Sequence, residues 1–370
     1  MAGYISLPAD YGRDRENGEM VMPLREKLGL PGSMSLALED RLCHLAATSR
    51  SYKHAAQTAE KFGIPVDAVR LRRLVQCAGK CALQQEERRI AEAFDSRGNK
   101  AMARAAGLEL REERFSMALM LDGAMLRFRG DAWGLKPASA AGDRVAWREL
   151  KAGLVIRLPE PSTRKYPKPS KYYVASDGGL EEAGRKLYAE ALRHGLESAQ
   201  RVYVVADGAA WIWNVAAEHF PGHIGELDFY HASEHLWTLA RSLHGEEGDM
   251  ARKWAEPLLS GLKYRGGGDL LSFLEELTRT GTERLTDGQR EVLRRETAYF
   301  QKHKDHLNYP GASLLGLPLG SGEMESACFQ LQGRFKRPGQ FWSQSGEQNL
   351  MALEMALRNG DWDRIWGQTA

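Results

Sequence analysis

The sequence predicts an α/β protein in which an all-α N-terminal region precedes a mixed β-sheet flanked by helices. Apolar residues recur at three- and four-residue steps early in the chain, alternate from Phe115 onwards, and return to helical spacing after His231. These changes of period give five expected segments: an irregular stretch 1–32, a helical region 33–112, the first part of an α/β core 113–231, a helical insertion 232–319 and C-terminal core helices 320–370.

Within the helical region, one stretch has the spacing of a helix-turn-helix. Along residues 51–70, the small Ala59 would allow close helix approach, Gly63 would make the turn, and Val69 would follow on the second helix. Three arginines would then lie on or beside a recognition helix that contacts DNA: Arg70, Arg72 and Arg73. An ordinary helical hairpin is the alternative, because the position near Arg72 that should be apolar is not.

The core begins with three strand patterns and continues with alternating helix and strand. The expected strands are residues 115–128, 147–158, 172–176, 201–206 and 225–229, with a helix over 180–196. A basic, proline-rich connection over 159–170 cannot be a central strand. The resulting order β-β-β-α-β-α-β is that of the ribonuclease H-like fold, a mixed sheet with helices on its faces.

Composition indicates a soluble globular protein of two or three structural units, since 370 residues exceed one small core. Arginine and lysine number 51 against 49 acidic residues, so a net charge of +2 limits any DNA-binding surface to a local patch. Four cysteines lack the paired spacing of a zinc ribbon, which favours a reducing cytoplasm. No apolar run approaches the ~18–20 residues of a membrane span, so no membrane partner is expected.

Three acidic residues have the backbone settings that metal-dependent phosphate chemistry uses. Asp122 and Asp207 each follow an apolar run and precede a glycine, which lets the chain bend at the end of a strand. Glu325 opens a predicted helix. Together, three such carboxylates could hold two Mg²⁺ ions about 3.5–4 Å apart, which is the arrangement that phosphodiester transfer requires.

Six segments carry a family resemblance. They are Leu121-Asp-Gly123, Ala206-Asp-Gly-Ala-Ala-Trp-Ile-Trp213, Leu227-Asp-Phe-Tyr-His-Ala-Ser-Glu-His-Leu236, Gly320-Ser-Gly-Glu-Met-Glu-Ser326, Arg334-Phe-Lys-Arg-Pro-Gly-Gln-Phe-Trp342 and Asn359-Gly-Asp-Trp-Asp-Arg-Ile-Trp366. In their order and spacing, from about residue 20 to the C terminus, the chain resembles DDE transposases of bacterial insertion sequences, in the ISKra group of the Mutator-like assemblage.

The resemblance implies a site and partners. Asp122, Asp207 and Glu325 would bind two Mg²⁺ or Mn²⁺ ions, while Asp228 and His231 would form an accessory motif that orients DNA or the scissile phosphate. Lys336 and Arg337, in the basic tail motif, would contact DNA. The expected assembly is a homodimer on transposon-end and target DNA, in the cytoplasm and associated with the nucleoid.

Several alternatives remain open at this stage. Glu323 competes with Glu325 for the third position, although the resembled family places the acid directly before a serine. His231 and His235, four residues apart, could bind Zn²⁺ together with Asp228. Trp211 and Trp213 could stack on unpaired bases or pack against the sheet.

Three functions are considered. The first is an insertion-sequence transposase that cleaves DNA and transfers the freed strand. The second is a truncated or domesticated DNA-binding protein that keeps the fold without transposition, because the stretch before residue 28 is short and cysteine-free and Phe329 stands where the resemblance implies a basic residue. The third is a nuclease that cleaves without strand transfer.

Overall fold

The computed structural model describes residues 11–13, 18, 20–27, 34–100, 114–135, 142–159, 168–245, 249–281 and 283–366. Parts of three expected segments lie outside these ranges. They are most of the N-terminal stretch 1–32, the end of the helical region from residue 101 to residue 112, and most of the basic connection over 159–170.

The architecture is a mixed α/β fold. Two short strands, β1 (Gly12–Arg13) and β2 (Met20–Val21), pair with each other in antiparallel orientation. The main sheet consists of β3 (Phe115–Arg129), β4 (Val145–Pro159), β5 (Ser170–Ser176), β6 (Val202–Ala206) and β7 (Ile224–Leu227). Its order is β5-β4-β3-β6-β7, with β4 and β5 antiparallel and with β3, β6 and β7 parallel.

The apolar runs explain the strands at the centre of this sheet. Residues 117–120 of β3 are at most 1% exposed, so successive side chains are buried on both faces. All five strands begin and end within two residues of their expected positions. The last strand stops at Leu227 rather than residue 229 because Asp228 is the N-cap of the next helix.

Helices account for most of the remaining described residues. They are α1 (Pro23–Lys27), α2 (Leu36–Thr48), α3 (Tyr52–Lys61), α4 (Ala68–Ala93), α5 (Leu180–Arg193), α6 (Ala210–His219), α7 (Phe229–His244), α8 (Asp249–Arg265), α9 (Gly267–Thr280), α10 (Asp287–Lys302), α11 (Tyr309–Leu314), α12 (Gly322–Phe335), α13 (Gln344–Arg358) and α14 (Trp362–Ile365). No helix in the described part of the chain is long and apolar enough to cross a membrane.

The chain divides into two compact units. The first contains residues 1–92, 125–149 and 329–370, and the second contains residues 93–124 and 150–328. In the second unit, apolar side chains of α7 to α11 share one buried cluster that includes Leu236, Leu293 and Phe300. That these helices are an insertion into the core stays a prediction. All the residues of the candidate active site belong to the second unit.

Candidate active site

Strand register brings the first two predicted carboxylates together. β3 pairs with β6 through Met120 and Val205, and the same offset continued by two residues matches Asp122, within β3, with Asp207, just after β6. In parallel neighbours, residues in register share one face of the sheet and lie about 4.8 Å apart. Asp207 directly follows the carboxyl end of β6, but β3 continues through Gly123 to Arg129, so the strand end expected after Asp122 is wrong and Asp122 lies in the middle of its strand.

The same level of the sheet includes Asp228. β6 pairs with β7 through Ala206 and Leu227, so the next residues in register are Asp207 and Asp228. The Asp228 N–H donates to the Ala206 carbonyl oxygen at 2.7 Å, which extends the ladder to this residue. We call this row of Asp122, Asp207 and Asp228 the acidic edge.

Asp122 has one contact that the sequence did not predict. Its half-buried carboxylate accepts a hydrogen bond from the Gly123 N–H at 2.6 Å and another from the thiol of Cys328 on α12. Burial, and then the negative charge of Asp122, raise the pKa of the Cys328 thiol. This thiol therefore stays protonated and remains a donor to the carboxylate.

Glu325 reaches the same place through α12. It lies three residues before Cys328, so the two side chains share one side of the helix. Because Cys328 contacts Asp122, α12 brings the turn containing Glu325 towards the middle of β3. Glu325 is exposed, and no described residue forms a hydrogen bond or ion pair with its carboxylate.

Glu323, the competing candidate, has a different environment. Its carboxylate pairs with the ammonium group of Lys171 on β5 at 2.5 Å. Formation of this ion pair occupies Glu323, whereas the Glu325 carboxylate remains available. The contacts thus favour Glu325 as the third acidic residue.

Asp207 is held by both its side chain and its backbone. Its carboxylate accepts from the Ala209 N–H at 2.9 Å, which stabilises the turn into α6. Its carbonyl oxygen accepts from the Tyr299 hydroxyl on α10 at 3.1 Å. Burial, and then the charge of Asp207, raise the pKa of Tyr299, so this hydroxyl remains protonated and continues to donate.

Tyr299 belongs to a small polar cluster that sequence reasoning missed. Its ring stacks on His235 with centroids 3.5 Å apart, and His235 Nδ1 lies 2.6 Å from Glu296 Oε2. Burial opposes ionisation of Glu296, but hydrogen bonds from His235 and Arg295 outweigh it and lower the pKa of this carboxyl. His235 is therefore engaged by α10. The regular spacing of apolar residues in α10 predicted a helix, but it did not predict that this helix would contact His235.

Asp228 is the most enclosed member of the acidic edge. It is fully buried, and its Oδ1 accepts from the backbone N–H groups of Tyr230 and His231 at 2.6 and 3.1 Å. Its Oδ2 accepts from both the N–H and the hydroxyl of Ser321, just before α12. One carboxylate thus caps α7 and fixes the start of α12. Its observed contacts all lie within the protein.

His231 occupies the first turn of α7 and is 38% exposed at its side chain. Its Nδ1 lies 3.6 Å from Glu234 Oε2, beyond a normal hydrogen bond. The ring is therefore weakly held and open to solvent. It is close in sequence to Asp228 but does not share that residue's buried environment.

The fit of a metal ion is partial. Carboxylate oxygens suit Mg²⁺ or Mn²⁺, and register makes Asp122 and Asp207 neighbours. Among the described residues, however, no three His, Cys, Asp or Glu side chains are grouped closely enough to bind one ion. This applies to the magnesium triad and equally to a zinc site built on His231 and His235.

The two tryptophans after Asp207 have partners within the second unit. Trp213 stacks on His306 with centroids 4.0 Å apart, and the Trp211 ring lies 4.2 Å from the Lys151 ammonium group. Both tryptophans are half-buried. Of the two alternatives, packing within the protein describes their observed contacts.

The expected helix-turn-helix residues lie in the first unit. Gly63 makes the turn between α3 and α4 with a φ of +74°, as its position predicts. Val69 differs from the expectation, since it is 51% exposed. The buried side of α4 is formed instead by Leu71 and Val75, four residues apart. The helix is therefore rotated about its axis relative to the orientation that the helix-turn-helix pattern predicts. The three arginines on this helix are all exposed: Arg70, Arg72 and Arg73.

The basic tail lies at the end of α12, also in the first unit. Lys336 is exposed, and its ammonium group lies 5.9 Å from the ring of Trp147. Arg337 is half-buried, and its carbonyl oxygen accepts a hydrogen bond from the Arg127 guanidinium. Both expected DNA contacts thus stand beside further cationic and aromatic side chains.

No family model matches the sequence, and no curated protein matches it. One solved structure, a Drosophila P element transposase strand transfer complex, is similar at 9% sequence identity with a TM-score of 0.28. That similarity covers 94% of this chain and 84% of the other chain. A TM-score of this size does not establish a shared fold.

Proposed function

We propose that this protein is a DNA transposase of the DDE type, with a ribonuclease H-like core related to the ISKra group of insertion sequences. The observation that supports the proposal is strand register: the offset of the parallel strands β3 and β6, continued by two residues, matches Asp122 with Asp207. The sheet order β5-β4-β3-β6-β7, with one antiparallel and two parallel pairings in known register, is compatible with such a core.

In this proposal, Asp122, Asp207 and Glu325 would hold two Mg²⁺ or Mn²⁺ ions. When bound, such ions activate the attacking hydroxyl and stabilise the leaving oxygen of a phosphodiester. The protein's own contribution is to place the carboxylates. The Cys328 thiol orients Asp122, the Tyr299 hydroxyl fixes the backbone of Asp207, and α12 presents Glu325 on the side of the helix that faces Asp122.

Asp228 is assigned a positioning role. Four hydrogen bonds use both of its oxygens, so it acts by fixing the start of α12 and thereby the location of Glu325. His231, which is partly exposed on the adjacent turn, is the member of the accessory motif able to donate to a phosphate oxygen. The partners in this proposal are transposon ends and target DNA, bound by a homodimer.

A matched pair of variants tests the proposal. Glu325→Gln should abolish Mg²⁺-dependent cleavage and joining of DNA that carries the element's ends, because one anionic oxygen ligand is removed. Glu323→Gln removes the same charge from the same helical turn and should retain activity, since Glu323 pairs with Lys171. Asp122→Asn and Asp207→Asn should resemble Glu325→Gln, with losses of at least about 100-fold that do not multiply in combination.

The same assay separates the alternatives. A DNA-binding protein without transposition is favoured by the absence, among the described residues, of three side chains grouped for one ion. It would bind element ends without cleaving them. A nuclease without strand transfer would cleave but fail to join pre-cut ends. Equal activity of Glu325→Gln and the wild type would remove Glu325 from the site.

A further inference from the structure

The first unit has an exposed surface where cationic and aromatic side chains alternate. It consists of Arg127 and Arg129 on β3, Trp133 in the following turn, Trp147 on β4, and Lys336 and Phe341 after α12. We call this set the cation–aromatic strip. Its residues belong to the first unit and those of the acidic edge to the second, although β3 contributes to both.

Contacts within the first unit make the strip continuous. Lys336 and the Arg127 guanidinium each lie 5.9 Å from the Trp147 ring. Arg127 also lies 5.2 Å from Phe341, whose ring is 4.9 Å from Trp133. Arg129 lies 5.6 Å from Trp133 at the far end.

Backbone pairing holds the strip together. The Trp342 N–H donates to the Arg127 carbonyl at 3.0 Å, and the Arg129 N–H donates to the Trp342 carbonyl at 2.8 Å. Phe341 is therefore fixed alongside β3 rather than carried on a free loop. Because alternate residues of a strand share one side, Arg127 and Arg129 project together. The rings are thus presented on paired backbone.

Exposure and charge both indicate a ligand for this surface. Trp147 is 54% exposed and Trp133 is 40% exposed, although tryptophan normally buries most of its surface. Residues 125–149 and 329–343 contain eight arginines and lysines and three acidic residues, so this part is far more positive than the chain as a whole. Glu149, two residues after Trp147, is the acidic residue nearest in sequence on the same side of β4.

We infer that the cation–aromatic strip binds unpaired DNA, with bases stacked on Trp147 and Trp133 and phosphates contacted by Arg129 and Lys336. Stacking needs an accessible base face, which a duplex hides within its own stack, so the rings select single strands. The cations between the rings suit the phosphate that joins successive bases. The inference deepens the proposed function, on which it rests for the source of the strand, namely an opened DNA end.

The test measures binding of a fluorescein-labelled oligo-dT of about 15 nucleotides, a length within the site sizes of single-strand binders, with EDTA present. Trp147→Ala should weaken binding about tenfold, the effect expected when one base can no longer stack, and Trp147→Phe should lose less because it keeps a ring. Arg129→Gln should lower the log–log salt slope by about 0.7. The matched control is Tyr264→Ala, which removes a 69% exposed ring that lies 5.6 Å from the Lys263 ammonium group in the second unit.

Base stacking on the cation–aromatic strip is supported if Trp147→Ala and Trp133→Ala lose oligo-dT binding but keep duplex binding. Tyr264→Ala should bind both as the wild type does. Equal losses for single-stranded and duplex DNA, or no loss for either, overturn stacking. Ring-dependent binding of oligo-rU that is tenfold tighter than that of oligo-dT assigns the surface to RNA instead. Since EDTA removes divalent ions, these outcomes do not depend on whether the protein cleaves DNA.

Discussion

The acidic edge and the cation–aromatic strip both include residues of β3, but their side chains have opposite charges. At the acidic edge, carboxylates follow buried apolar runs and are held by hydrogen bonds from the protein. At the strip, guanidinium and ammonium groups lie over exposed rings, and no described residue forms an ion pair with Arg127, Arg129 or Lys336. The acidic edge holds carboxylates in fixed positions, whereas the cation–aromatic strip presents positive charge that attracts anionic groups.

The comparison also separates members of the acidic edge. Asp122 accepts from Gly123 and Cys328 and is only half-buried, so its carboxylate can still take a ligand. Asp228 is fully buried and accepts four hydrogen bonds. Matched positions on neighbouring strands thus differ: the carboxylate of Asp122 is partly accessible, whereas that of Asp228 is enclosed by its hydrogen-bond donors.

The first test of this separation is at Asp228, where both stability and cleavage are expected to fall. Asp228→Ala should destabilise the protein by about 3 kcal/mol, because a helix cap is removed and buried N–H groups are left without an acceptor. The cleavage rate should also be lower than that of the wild type at temperatures well below the unfolding temperature, because Asp228 no longer fixes the start of α12. Chemical denaturation and cleavage rates measure the two effects.

Ser321→Ala is the matched control for this change. It removes the hydroxyl donor to Asp228 but keeps the Ser321 N–H, so stability should fall by about 1 kcal/mol. If Asp228→Ala instead leaves stability unchanged and weakens only DNA binding, Asp228 contacts DNA and the positioning role is wrong.

The strands could be predicted from the sequence because burial on both faces leaves a visible apolar run. That run located Asp207 directly after β6, but it placed Asp122 at a strand end that the structure does not have, since β3 continues to Arg129. The contacts of Cys328, Tyr299 and Ser321 could not be predicted in this way. Each contact depends on which helix packs against which strand. The spacing of apolar residues within one segment does not specify that partner.

The same limit explains the other differences. Val69 fitted a helix-turn-helix spacing, but the rotation of α4 is set by the packing of Leu71 and Val75. The basic character of Lys336 was visible in the sequence. Its place beside Trp147 was not, because it requires residue 342 to pair with β3 more than 200 positions earlier.

A second prediction concerns Glu226, two residues before Asp228 on β7. Burial raises the pKa of Glu226 to about 8, so this carboxyl is mostly protonated at neutral pH. A folded pKa above the unfolded value of about 4.5 gives stability that is full below pH 4.5 and is lost as the pH rises through 8.

Glu226→Gln should therefore gain stability relative to the wild type as the pH increases from 5 to 9, by up to about 4 kcal/mol. The quantity to measure is the difference in the free energy of unfolding between Glu226→Gln and the wild type, obtained by denaturant titration at each pH. The contribution of His303 to stability has the opposite pH dependence. Burial lowers its pKa to about 4, so this contribution is lost as the pH falls below about 6.5. That contribution is common to both proteins and cancels. A difference that stays constant with pH would mean that Glu226 is ionised throughout.

The smallest expected effect compares the cation–aromatic strip with the arginines of α4. If α4 reads duplex DNA, replacing Arg70, Arg72 and Arg73 with Ala should weaken binding to element ends and reduce the log–log salt slope by about 0.9 for each phosphate that the variant no longer neutralises. Arginines that contact base edges would also relax sequence preference by about 1–3 kcal/mol for each bidentate pair. Oligo-dT binding should be unchanged, because the strip remains intact. Competition titrations of element-end, random duplex and single-stranded DNA at several salt concentrations resolve these contributions. If the triple variant binds all three as the wild type does, α4 is a packing helix, and duplex recognition must come from residues other than these arginines.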